Sequence, residues 1–186
     1  LFTCGDYERA IWCWDKCCEL DPKHPQIHYR LAQCCWVSGQ GRRAWVEFLK
    51  ELRGNPTDLE VILDFGLFLL ESGDVEGARE KFSRILEFDE TFAAARFYLA
   101  EVCRIQGNLS GAERWYRRAV ESDPALCGPR FRLAQLYQQH QQMETAVQLL
   151  TDELTLGVED HEVLGMMGWM LMQMGAGGEA VRCFLK

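Results

Sequence analysis

The sequence contains no apolar run long enough to cross a bilayer. Its longest stretches are 165–172 (GMMGWMLM) and 61–70, the latter broken by Asp64, whereas a spanning helix needs about 20 residues. Positive charge is also in short supply: 20 Lys and Arg stand against 28 Asp and Glu, a net charge of −8. With no basic surplus to neutralise phosphates, nucleic acid is excluded as the expected partner. Proline is sparse, at 5 of 186 residues, and 48% of the chain is apolar, which excludes a disordered or low-complexity protein. No secretory leader is recognisable, because the chain opens Leu1-Phe2-Thr3-Cys4-Gly5 without a charged n-region or an apolar stretch. The nine cysteines, an odd number, are therefore read as reduced thiols and the protein as cytoplasmic. The missing initiator Met leads to the expectation of a piece of a longer, or processed, protein.

What the sequence has in place of these features is a period. Ala10, Ala44, Ala78, Ala112, Ala146 and Ala180 recur at one constant interval without an insertion. Other columns keep the same step. A turn column reads Gly5, Gly39, Gly73, Gly107, Gln141 and Gly175, and a small-residue column reads Ala32, Gly66, Ala100, Ala134 and Gly168. A bulky column reads Trp14, Phe48, Phe82, Tyr116, Leu150 and Phe184, and a proline column holds Pro22, Pro56 and Pro124 but Glu90 and Val158 elsewhere. Proline ends one helix and lets the next begin, and glycine closes a tight left-handed turn. Apolar pairs four apart, such as Leu31/Cys35, Phe65/Leu69 and Leu99/Cys103, mark one helix face. Each period is thus a helical hairpin whose apolar face needs neighbours to bury it. The columns predict helices at about 6–20, 26–38, 42–53, 59–72, 75–88, 93–106, 109–122, 128–140, 143–155, 161–174 and 178–186.

This pattern resembles the tetratricopeptide repeat family over the whole chain. The resemblance implies an all-α fold, an α-solenoid wound as a right-handed superhelix of tandem 34-residue hairpins. It divides a single solenoid, 1–186, into a partial unit 1–24, full units 25–58, 59–92, 93–126 and 127–160, and a partial unit 161–186. Departures are Gln141 in the turn column, Glu90 and Val158 in the proline column, and the absence of an early tryptophan in each first helix. Neither end shows the polar capping helix usual for solenoids, and the Met- and Trp-rich last unit leaves self-association through the ends as one expectation.

The resemblance also implies a concave wall made by the first helix of each unit. Carried onto this sequence, the candidate partner-binding residues are Tyr29, Gln33 and Trp36; Leu63 and Leu67; Phe97, Glu101 and Arg104; Phe131, Gln135 and Gln138; and Trp169. Arg132 joins Arg104 as a pair able to take an acidic side chain. The carboxylate clamp of the family's co-chaperones is missing, since Tyr29, Gln33, Leu63 and Leu67 stand at its positions, and the wall has no asparagine ladder. What remains suits a peptide with apolar anchors. The alternative is that these aromatics only pack neighbouring first helices.

Signals for chemistry are thin. Cys13, Cys17, Cys18, His24, His28, Cys34 and Cys35 crowd into the short segment 13–35 and carry zinc-type donors. Their spacing is not that of a closed zinc site, and buried thiols also serve as small apolar residues. No nucleophile–base order or phosphate loop is present, so neither catalysis nor a cofactor is expected. The expected role is a non-catalytic scaffold for a neutral or basic protein partner. The alternative is the regulatory or substrate-recruiting arm of an enzyme whose catalytic domain lies outside the sequence.

Overall fold

The computed structural model describes residues 6–21, 24, 26–157 and 161–185. Gly5, Pro22 and Val158 of the repeat columns lie outside the described residues. Among the described residues there are eleven α-helices and no strand. They are α1 (Tyr7–Leu20), α2 (Ile27–Val37), α3 (Gly41–Gly54), α4 (Leu59–Glu71), α5 (Val75–Phe88) and α6 (Ala93–Ile105). The remainder are α7 (Leu109–Ser122), α8 (Pro129–Gln139), α9 (Met143–Leu154), α10 (His161–Gln173) and α11 (Gly177–Phe184). Each begins and ends within two residues of the place that the period predicts. The helices form two compact units, one up to Glu90 and one from Thr91 onward.

Local chemistry explains the boundaries. Asp58 accepts from the amides of Glu60 and Val61 at 3.1 and 3.3 Å, Asp74 from Gly77 at 2.9 Å and Asn108 from Gly111 at 3.0 Å. These caps satisfy amides that no helical carbonyl can reach. Second helices stop on one column, Asp21, Asn55, Asp89 and Asp123, with φ of −141°, −135°, −138° and −139°. Asp89 precedes Glu90 rather than proline yet holds the same extended backbone, so proline reinforces this stop without being required for it.

The turn column behaves the same way. Gly39, Gly73, Gly107 and Gly175 have φ between 76° and 85°, and Gln141 joins them at 60°. The amides of Gln141 and Gln142 reach Gln138 O and Tyr137 O at 3.0 and 2.9 Å, matching Gly107 to Arg104 and Asn108 to Cys103 at 3.0 and 2.9 Å. A side chain in this conformation costs about 1–2 kcal/mol, and the fifth hairpin keeps its shape regardless.

Each hairpin packs chiefly within itself: α2 on α3, α4 on α5, α6 on α7, α8 on α9 and α10 on α11. Small residues make that approach possible. A methyl group added to Gly66 would stand 2.5 Å from the Phe82 ring, and one added to Gly168 would stand 2.7 Å from that of Phe184. Ala44, Ala78, Ala112, Ala146 and Ala180 are fully buried, as are Phe48, Phe82, Tyr116 and Leu150 of the bulky column. Phe184 in that same column is 57% exposed.

In the first unit the bulky column is embedded in aromatics. Phe48 stacks on Phe65 with centroids 5.2 Å apart and meets Phe68 at 5.8 Å and Trp36 at 6.3 Å. In the second unit, Tyr116 packs with Ala100, Ala112, Leu133 and Leu136, and Leu150 packs with Ala134, Ala146, Val163 and Met170. Ala112→Leu therefore forces a branched side chain into a filled helix contact. It is expected to cost about 1–3 kcal/mol in urea unfolding, and an unchanged midpoint would show that the close contact lies elsewhere.

Candidate functional site

In the first unit the candidates lie on α2 and α4, whose side chains meet. Tyr29 is buried; its hydroxyl donates to Asp64 Oδ2 at 2.8 Å and lies 3.4 Å from Glu60 Oε1. Gln33 Nε2 donates to the same Asp64 oxygen at 2.8 Å, and the Trp36 indole donates to Glu71 Oε2 at 2.7 Å. Burial, reinforced by the Asp64 hydrogen bond, pushes the Tyr29 phenol well above its usual pKa, so it stays a donor. The three candidates on α2 are thus tied to carboxylates of the next first helix. Leu63 and Leu67 stand beside this seam, half-buried.

In the second unit α6, α7 and α8 bring another group of candidates together. Glu101 is 7% exposed and accepts from Arg104 Nη2 at 2.7 Å, from Arg132 Nε at 3.2 Å and from the Tyr116 hydroxyl. Both arginines, expected to take an acidic side chain of a partner, instead meet the chain's own Glu101 carboxylate. Arg132 also donates from Nη1 to Gln135 Oε1 at 3.1 Å. Phe97 is half-buried, with its ring 5.8 Å from that of Tyr116 and against Gly128, where an added methyl would stand 3.4 Å away. Phe131 packs on the Leu150 cluster. Gln138 is half-buried and Trp169 is 46% exposed; both lie outside the Glu101 group.

Several important groups were not among the candidates. Asp64 and Tyr116 complete the two networks described above. Glu51, 8% exposed, accepts from the amides of Gln26 and Tyr29 at 3.2 and 3.1 Å and so caps α2 from the paired helix. Glu153, 2% exposed, accepts from the amide of Gly128 at the start of α8 in the same way. Both helices begin on left-handed residues, Gln26 and Gly128, with no side-chain cap of their own. The signal in the sequence was the column itself: Glu51 and Glu153 sit where Ile85 and Ala119 occupy the other units.

Within the cysteine and histidine cluster, the described side chains make other contacts. His28 Nδ1 lies 2.7 Å from Glu47 Oε2, and Lys50 Nζ lies 2.8 Å from Glu47 Oε1. Cys34 and Cys35 are fully buried; burial raises both thiols, that of Cys35 to about 11. Among the described residues no group of three or more His, Cys, Asp or Glu side chains is placed to hold a metal ion.

These features define an all-α protein of tandem helical hairpins of the solenoid class. Residues 63–126 match the tetratricopeptide repeat family model, and the chain carries the fold of that family. PilF of Pseudomonas aeruginosa superposes with a TM-score of 0.85 at 18% identity, covering 99% of this chain and 84% of that one. A tetratricopeptide repeat protein from Parabacteroides merdae gives 0.74 at 14% identity, over 98% and 72%. MamA from Desulfovibrio magneticus gives 0.68 at 19%, over 86% and 90%. At these identities the likeness is one of fold. No curated protein matches the sequence.

Glu101→Ala would leave the Tyr116 hydroxyl and the Arg104 guanidinium without their carboxylate acceptor, and Arg132 with only its bond to Gln135. A loss of about 1–3 kcal/mol is expected in chemical unfolding, with Glu101→Gln losing less. If the alanine variant is as stable as the parent, the network contributes nothing to the fold.

Proposed function

We propose that the chain is a non-catalytic scaffold that holds a partner polypeptide against walls formed by its first helices. The fold is one typical of protein–protein interaction. The observation that carries the finer reading is on α4. Leu63, Leu67 and Leu70, spaced four and three residues apart on one helix face, are only partly buried in the folded chain. Glu60, Asp64 and Glu71 flank them, so the complementary segment has apolar anchors and neutral or basic neighbours. In the second unit Arg104, Gln138 and Trp169 offer polar and aromatic contact. Among the described residues no helix is long and apolar enough to cross a membrane, and the acidic balance argues against nucleic acid.

The test is capture of binding proteins from native lysate by the chain and by a Leu63→Ser/Leu67→Ser variant, with circular dichroism on both. A partner retained by the parent and lost by a variant of unchanged helicity is the expected result. An identical set of captured proteins would place recognition away from this wall.

A further inference from the structure

Beside its leucines, α4 carries a second row of side chains. At about 100° per residue, Leu63, Leu67 and Leu70 form one row, and Glu60, Asp64 and Glu71 form a parallel row about 70° further round. Glu60 and Glu71 are exposed, and the other four side chains are partly buried. All six belong to the first unit.

The repeat supplies an internal control. The places of the leucine row hold Tyr29, Gln33 and Trp36 one period earlier, and Phe97, Glu101 and Arg104 one period later. The places of the acidic row hold Gln26, Arg30 and Val37 in the unit before, and Ala94, Tyr98 and Ile105 in the unit after. Further on, only Glu162 restores an acid at one of these places. Three aliphatic side chains beside three carboxylates are thus peculiar to α4. Folding does not require them, since the other hairpins form alike without them.

The acidic row lies on the side of α4 that meets α2, and the hydrogen bonds it receives there come from neutral donors. Tyr29 and Gln33 donate to Asp64 Oδ2, and the Trp36 indole donates to Glu71 Oε2. Asp64 Oδ1 and Glu71 Oε1 accept nothing, and none of the three carboxylates is ion-paired, among the described residues. Arg30 is the cation that reaches this seam: it donates to Gln33 Oε1 at 3.2 Å, and its guanidinium lies 5.2 Å from the Tyr29 ring centroid. On the other side, the buried Glu51 carboxylate accepts from the Tyr29 amide and adds negative charge. Counting all of these, the seam stays negative, and its complement is basic.

Spacing identifies the conformation of that complement. Along α4 the carboxylates are separated by about 6 Å and then by about 10 Å. An extended chain covers those intervals in about two and three residues, which turns its third side chain to the opposite face. A helix lying along α4 meets them with residues four and seven apart, all on one face.

We propose that α4 seats a basic amphipathic helix of another protein, with apolar side chains on the leucine row and Lys or Arg side chains on Glu60, Asp64 and Glu71. This helix is the partner polypeptide of the scaffold reading above, on which the assignment rests, now given a charge and a conformation.

The test selects displayed random peptides of about 20 residues, long enough to hold a helix, on the chain. Each selected peptide is then titrated by fluorescence anisotropy and circular dichroism. Glu60→Gln/Asp64→Asn/Glu71→Gln removes the three charges while keeping a carbonyl oxygen for each donor. Glu76→Gln/Glu80→Gln removes charge from α5 as a control. The expected peptides gain helicity on binding and carry Lys or Arg four and seven residues apart beside Leu, Ile or Phe. They bind the triple amide variant about tenfold or more weakly, are lost with Leu63→Ser/Leu67→Ser, and are indifferent to the α5 variant. Peptides lost with the leucine variant yet indifferent to the triple amide variant, or bound without gaining helicity, would overturn the basic helix and leave the scaffold reading standing. Peptides weakened as much by the α5 variant would reduce the effect to general attraction by an acidic chain and would also overturn it. Peptides indifferent to the leucine variant would overturn both readings. A selection with no binder would overturn the basic helix, and capture from lysate by the parent then decides the scaffold reading separately.

Discussion

The rest of the structure depends on the contact between one small and one large residue across each hairpin. Where Gly66 meets Phe82 and Gly168 meets Phe184, no methyl group fits. At Gly66 the two helix axes come close enough to bury the Phe82 ring on the partner's backbone. That approach fixes the register of the hairpin and turns its remaining apolar face outward. The outward face cannot be satisfied within one period, so neighbouring hairpins must stack. Four of the bulky side chains are fully buried, from Phe48 to Leu150.

Much of this was legible because the period repeats without an insertion. A single glycine or alanine is weak information, whereas six in phase place every helix. Where a column was broken, the backbone kept its course: Gln141 takes the left-handed turn and Asp89 stops its helix without a following proline. The reason is that register is set by the packed face, and the turn chemistry only adjusts its cost. The candidate site was less legible. The resemblance to the repeat family implied the positions of Tyr29, Gln33 and Arg104, but not which groups meet there. Arg132 belongs to the hairpin after that of Glu101, yet the two side chains lie 3.2 Å apart in space. Only the packing of α8 beside α6 brings them together.

The buried carboxylates share one logic. Glu101 gathers two guanidinium groups and a phenol, Asp64 gathers a phenol and an amide, and Glu51 and Glu153 collect the free amides at the starts of α2 and α8. Each links elements that apolar packing alone would leave free to slide, and each would be costly to bury without its donors. The leucines of α4 lie outside these networks.

The central claim is that phase determines the fold, and excision within a helix tests it most directly. Deleting residues 100–133 removes one whole period and joins Leu99 to Ala134 in register. Deleting 100–131 keeps two residues more and rotates everything beyond the junction by about 200°. The account predicts that the first deletion unfolds cooperatively in denaturant, with helicity per residue like that of the parent, and that the second loses both properties. Equal behaviour of the two deletions would contradict it.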